Sequence, residues 1–296
     1  MNFSLFANSG EIKLSGLGTI DLEPSFQIGH QRKGQELKRI FSIIFIICTS
    51  TAVLAQTDAD SNLRRAAHQQ TESIRQGGSS WPVFETEFFQ IHFQTTTAPD
   101  SVACFELDAF VERTLKNLDS SGKTTTNLRE RKLSYYLCDD ATVEKITGYS
   151  TKGMADLAGR AVISSHFPHF HELAHLLVHI IIKDKALQTL PLIQEGVACL
   201  LGGRWGRSPE TIFYTGWVHR SLGMGTLDDV MTRDDFFTFA GGPDVTYALG
   251  ALFCEVVHRE AGFSGILKLY EELSGSADYV ASLNAESIFK SVAQVC

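Results

Sequence analysis

The 296-residue chain has no long run of basic residues and no basic stripe, and its formal net charge is −8. The electrostatic footprint that a phosphate backbone demands is missing, so DNA and RNA are not expected partners. No C-x-x-C occurs among the six cysteines, which argues against a zinc site built from cysteine thiolates. The apolar run Ile40 to Ala55 is sixteen residues, short of the about 20 that a helical bilayer span needs. No internal repeat is visible. With 44% hydrophobic, 10% aromatic and 20% charged residues, the composition is globular, and the length allows a sizeable core in one large domain or two small ones.

The short apolar run has a recognisable setting. Lys38 and Arg39 precede "IFSIIFIICTSTAVLA", which closes on Val53-Leu54-Ala55 before the polar Gln56. Charge, apolar centre and small-residue end make a secretory signal over about 38–55, cleaved after Ala55. The alternatives are an uncleaved anchor or a buried core strand. A lipid-modified Cys48 is disfavoured because Ile47 stands where a small residue is expected. Residues 1–37 are long for the charged part of a signal, and they carry no chemistry: they are an extended leader or follow from a misplaced start. Removing 1–55 takes away five basic and four acidic residues and leaves −9, so the mature chain stays acidic. A secreted or periplasmic protein with no stable membrane span is the expectation. Cys104, Cys138, Cys199, Cys254 and Cys296 remain, enough for at most two disulfides whose pairing cannot be read from sequence.

Residues 56–80 are polar and end in Gly-Gly-Ser-Ser, as a linker or a loosely held helix does. The folded domain is then expected over 81–296, from Trp81. "FETEFFQIHFQ" alternates, with Phe89, Ile91 and Phe93 on one side, as a half-buried strand requires. A helix capped by Asp100 or Ser101 follows, with Ala103, Leu107, Phe110 and Val111 along one stripe. "KLSYYLC" (132–138) and "GRAVISS" (159–165) are β-type runs. From His169 the pattern turns helical: about 169–183, 192–201, 244–261 ended by Gly262, and 263–273. Strands first and helices afterwards predict an α+β fold.

The chemistry centres on "HELAH", 171–175. Four residues apart on a helix is one turn along the same face, so His171 and His175 can aim at one point about 2.0–2.1 Å from each, the reach of a zinc bond. Leu173, Leu176, Leu177 and Ile180 fall on the opposite side, which makes this a core helix rather than one with incidental surface histidines. Glu172 is offset by one position, placed to serve a metal-bound water as base. A hydrolytic zinc needs a third protein ligand and one open position. "LPLIQEGVACLLGG" supplies Glu195, with nineteen residues between it and His175, on a helix started by Pro191. Gly196 and Ala198 are small enough to let the two helices approach. The competing reading makes Glu195 an ordinary acidic residue of a helix's first turn.

"HELAH…LPLIQEGVA" resembles the gluzincin branch of zinc metallopeptidases, in particular peptidase MA-like domains, which carry HExxH and then a glutamate in a Glu-Gly-x-Ala segment. The resemblance extends from "FFQIHF" to "YALGALFCEVVHREAG". It implies a zincin-like arrangement: a small N-terminal mixed sheet over the HExxH helix, a helical C-terminal half, and an edge strand that pairs with extended substrate, here "GRAVISS". It also likens Tyr247 in "DVTYALGAL" to a tyrosine that steadies an oxyanion, against which stands the commoner role of packing with a bonded hydroxyl. Two departures are notable. Cys199 occupies the position four after the glutamate where thermolysin-like members often have an acidic residue supporting a histidine. The Gly-x-Met-Glu-Asn signature of related aminopeptidases is absent, which weighs against recognition of a free amino terminus.

The combined expectation is an exported metallopeptidase with one Zn²⁺ held by His171, His175 and Glu195. Glu172 assists attack of zinc-bound water on a peptide or protein substrate, as in an endopeptidase. The alternatives are a non-catalytic exported binding domain on the same scaffold, or a zinc hydrolase for a cell-wall peptide or non-protein amide. His179 is read as packing or surface, and His166 and His169 are assigned nothing. Tyr214 and Trp217 are either pocket-lining or buried aromatics.

Overall fold

The computed structural model describes residues 7–8, 11–12, 62–78, 80–94, 98–119, 122–182 and 189–296. The chain divides into two units, Met1–Leu54 and Ala55–Cys296. In the first, Ala7–Asn8 pairs antiparallel with Glu11–Ile12. The signal expected over 38–55 lies outside the described residues. Among the described residues, no helix is long and apolar enough to cross a membrane.

The second unit is α+β and mostly helical, with one small mixed sheet. Its strands are β1 (Val83–Glu85), β2 (Phe89–Phe93), β3 (Leu133–Leu137), β4 (Gly153–Asp156) and β5 (Ala161–Ser164). Their spatial order is β1-β2-β3-β5-β4, with β2, β3 and β5 parallel and the two outer strands antiparallel to their neighbours. "FETEFFQIHFQ", expected as one strand, turns at Thr86–Phe88 into the β1–β2 hairpin. The turn is held by the Asp108 carboxylate, which accepts from Thr86 Oγ1 at 2.7 Å and from the Glu87 amide at 2.9 Å.

β2 is also buried on both faces rather than one. Phe89 and Ile91 point into a core with Leu107, Val111, Leu173 and Leu177, while buried His92 stacks on Tyr136 at 4.9 Å on the other face. What covers that second face includes the stretch expected as a linker. Residues 62–73 form a helix (α1), continued by a turn over Ile74–Gly78, with Ala67 and Thr71 buried. Tyr136 Oη donates to the Thr71 carbonyl at 2.9 Å, and the buried Asp156 carboxylate of β4 meets His68 Nδ1 at 3.0 Å and Thr71 Oγ1 at 3.1 Å. Of the two readings of 56–80, linker or loosely held helix, α1 answers to the helix, and it packs on the sheet that follows Trp81. It docks through Ala67, Leu63 against Gly148 and a few hydrogen bonds, with Ile74 of the following turn packed on the same cluster.

The remaining helices are α2 (Ser101–Leu118), α3 (Lys123–Glu130), α4 (Asp140–Thr147), α5 (Phe170–Ile181), α6 (Pro191–Gly202), α7 (Pro209–Ser221), α8 (Arg233–Thr238), α9 (Pro243–Glu272), α10 (Ala277–Ser282) and α11 (Ala285–Val295). Asp100 caps α2 by accepting from the Val102 amide. Gly262, at φ 68°, breaks the run of α9 where the sequence places a stop. α2 and α5 cover one sheet face, and α5 alone contributes the fully buried Leu173, Leu176 and Leu177, each worth roughly 1.5–3 kcal/mol relative to exposure. Beyond the sheet, α6, α7 and α9 build a second core from Leu192, Ile193, Val197, Leu249 and Val257 among others.

The close approach expected of Gly196, and the edge expected of "GRAVISS", are corrected. Ala198 shares the sheet-side core with Leu173 and Ala174 of α5, but Gly196 faces α9, where a Cβ would strike the Gly250 carbonyl. The residue that admits α5 is Gly202, whose missing Cβ makes room for the Phe170 carbonyl. "GRAVISS" is not the sheet edge either. Its core, β5, pairs on both sides, and the terminal strand is β4, "GMAD". Gly, Ala and Asp are poor strand formers, so β4 owes its conformation to burial of all four residues.

Candidate metal centre

α5 and α6 bring three side chains to one point. His171 Nε2 lies 3.1 Å and His175 Nε2 3.3 Å from the same oxygen, Glu195 Oε2. Taken together, the three ligand atoms lie within 4.8 Å of one another. His171 and His175 follow from helical periodicity. Glu195 follows from Pro191, which starts α6 and sets that glutamate one turn in.

The hydrogen bonding fixes the tautomer of His171. Its Nδ1 is 3.0 Å from the Gly203 carbonyl, which can only accept, so Nδ1 carries the proton and donates. In the neutral ring Nε2 is then a bare lone pair, and it faces a carboxylate oxygen. Two acceptors at 3.1 Å repel unless a cation serves both. Neutrality is the favoured state of this imidazole, since burial pushes its pKa below the usual histidine value against the pull of Glu195. His175 behaves oppositely: burial works against its charge, but Glu195 and Glu172 outweigh that and raise it. Burial alone would also raise Glu195, yet His175 and His171 hold its carboxyl well below the ordinary range. Glu172 is depressed for the same reason, with burial overcome by His175, His171 and His169.

The donor set fits a divalent cation on two counts. Bonds of about 2.0–2.1 Å at tetrahedral angles set neighbouring donors about 3.3 Å apart; two of the three separations, imidazole to carboxylate, are 3.1 and 3.3 Å, and all three atoms lie within 4.8 Å. The pairing of Nδ1–H with a backbone carbonyl is the outer support that metal-binding histidines characteristically have. In this structure a protein cation engages two of these donors: Arg204 Nη1 approaches His171 Nε2 at 2.6 Å and Glu195 Oε2 at 3.5 Å. His171, His175 and Glu195 therefore form a group that can hold a metal ion.

Glu172 stands beside this group without joining it. Its Oε2 accepts from the Ala155 amide of β4 at 3.0 Å, which ties the carboxylate to the terminal strand of the sheet. Tyr247, from α9, borders the cluster with its ring 6.2 Å from that of His171. Burial raises its phenol pKa, so the hydroxyl stays protonated and able to donate. Cys199 Sγ is 3.9 Å from His171 Nδ1, while the support that an acidic side chain would give comes from the Gly203 carbonyl instead.

Other residues sort themselves. His179 is buried, in keeping with a packing role. Tyr214 and Trp217 are exposed on α7, so of their two readings buried packing fails. His169, assigned nothing from sequence, caps the start of α5, with Nδ1 2.9 Å from Ser164 Oγ, and burial lowers its pKa to about 4. The five described cysteines are all free thiols, so neither possible disulfide is present among them. Arg204 escaped sequence reasoning altogether. The only clue is "GGRWG" at the end of α6, where two glycines let the chain turn back over α5.

Comparison with family models, with curated proteins and with solved structures returns no match.

Proposed function

We propose that this protein is an exported zinc hydrolase of amide bonds, a zincin-like endopeptidase in its mode of action. The observation that carries the reading is the pairing of a three-donor cluster, His171, His175 and Glu195, with a separate ionised carboxylate, Glu172, fastened beside it. Two imidazoles and one carboxylate suit zinc, and a purely structural site would close its coordination with a fourth side chain, typically Cys or His. When bound, the cation supplies Lewis acidity, polarising a carbonyl and making water a better nucleophile. The protein's own contribution is proton traffic. Glu172 takes a proton from the attacking water as the oxygen bonds to the amide carbon, then delivers it to the nitrogen as the C–N bond breaks.

The terminal position of β4 beside the donors favours an extended peptide as substrate, which would pair there by taking over the Ala155 amide that now donates to Glu172. Tyr247 is assigned the donor to the developing oxyanion, on the strength of its place at the cluster and its protonated phenol. Export rests on the basic–apolar–small pattern over 38–55. A cell-wall peptide or non-protein amide as substrate, and a non-catalytic binding domain on the same scaffold, are the competing assignments.

Glu172→Gln separates catalysis from binding. The variant is expected to keep one zinc per chain by metal analysis and to lose cleavage of a broad peptide library by about 10²–10⁴-fold, the worth of a general base. Wild-type metal without any cleavage would favour the binding domain, and full activity in Glu172→Gln would remove the assigned base.

A further inference from the structure

We infer that Arg204 is a tethered cation that competes with the metal: it holds His171 and Glu195 when metal is absent and must withdraw for metal to bind. This rests on the reading of His171, His175 and Glu195 as a metal site.

His171 has one ring nitrogen committed as a donor, to the Gly203 carbonyl at 3.0 Å. The other, Nε2, has a single lone pair, and Arg204 Nη1 takes it at 2.6 Å. A metal ion needs that same lone pair, because a ring nitrogen cannot accept a hydrogen bond and ligate at once. The same guanidinium nitrogen is 3.5 Å from Glu195 Oε2, so it engages two of the three donors. The electrostatic reason is plain. Glu172 and Glu195 are two carboxylates in a buried setting, and buried charge is paired or metal-bound.

The local backbone is arranged to deliver this residue. Gly203, at φ 67°, swings the chain off the end of α6, and Arg204 and Arg207 pair in a narrow turn. Within it Trp205 has φ 50°, a left-handed conformation that is rare for a bulky residue. The guanidinium carbon lies 3.5 Å from the Tyr247 ring centre and 4.7 Å from that of Trp205. The guanidinium already rests on those two aromatic faces while it meets His171, so yielding the lone pair to a metal need not cost the cation its stacking. Its anchorage is also incomplete: Arg204 Nε is buried without a hydrogen-bond partner, unlike the nitrogen that meets His171. A group held at one end of its fork and stacked on rings can be displaced without unfolding the turn.

The test uses the full chain stripped with chelator and titrated with zinc against a chromophoric competitor. Arg204→Met retains the stem over Tyr247 and Trp205 but removes the charge and the donors. It should bind zinc roughly 10- to 100-fold more tightly than wild type, the equivalent of a lost charge-assisted hydrogen bond. Arg207→Gln removes a positive charge from the same turn without touching the donors, and should match wild type. Arg204→Lys, tested alongside in case the Met variant folds poorly, keeps a cation but not the planar fork, and should fall between. Melting curves of the metal-free proteins give a second readout, with Arg204→Met less stable than wild type before zinc is added. Equal affinities for Arg204→Met and wild type, or an equal gain in Arg207→Gln, would overturn competition and leave the metal site standing. Failure of every variant to take up zinc would instead overturn the metal site, and competition with it.

Discussion

Gly203 orients His171, and it does so with a backbone that other residues cannot adopt. Its φ of 67° with ψ of −163° belongs to a region populated almost solely by glycine. A Cβ there would collide with the Arg207 carbonyl. Gly203→Ala should therefore destabilise the protein by on the order of 1–3 kcal/mol, and it should also move the carbonyl that fixes the His171 tautomer. Loss of such outer support typically weakens metal binding about 10- to 100-fold. Zinc titration together with denaturant melts checks both effects. A variant that is destabilised but binds zinc normally would deny Gly203 its orienting role. The donors themselves were legible from spacing, since an i, i+4 pair on a helix and a proline-started second helix need no tertiary knowledge. Their supports were not, because a carbonyl from Gly203 and an amide from Ala155 carry no side-chain signature.

Helices α5, α6 and α9 stand where hydrophobic periodicity puts them, while β4 and α1 do not announce themselves. β4 is "GMAD", made a strand by its neighbours; α1 docks through Ala67, Thr71 and His68, with Leu63 its one large apolar contact, against Gly148. Such elements become visible only when the partner surface is known. The consequence for α1 can be measured. A chain begun at Trp81 strips Asp156 of its contacts to His68 and Thr71 and uncovers Tyr136, whereas one begun at Gln56 retains them. The shorter chain should lose on the order of 2–4 kcal/mol, counting hydrogen bonds to a carboxylate, and melt roughly 5–15 °C lower. Identical melting of the two would mean that 56–80 is the linker its composition suggests.

Across the second unit, the proposed metal would join two cores that also meet through packing and the His171–Gly203 hydrogen bond. α5 belongs to the sheet-side core and α6 contributes most of its apolar residues to the helical one, so His171, His175 and Glu195 span the junction. An ion that binds the folded chain but not the unfolded one adds stability by mass action, about 2.7 kcal/mol when its concentration is a hundred times the dissociation constant. For a folded unit of this size that corresponds to roughly 5–10 °C in melting midpoint. Adding chelator to zinc-loaded protein should lower the midpoint by that amount. Glu195→Gln should abolish the response, because the carboxylate that completes the donor set is gone while α6 keeps its packing. A chelator shift that survives in Glu195→Gln would mean the ion is held elsewhere, and the acidic side chain would revert to its simpler reading as an ordinary residue near a helix start.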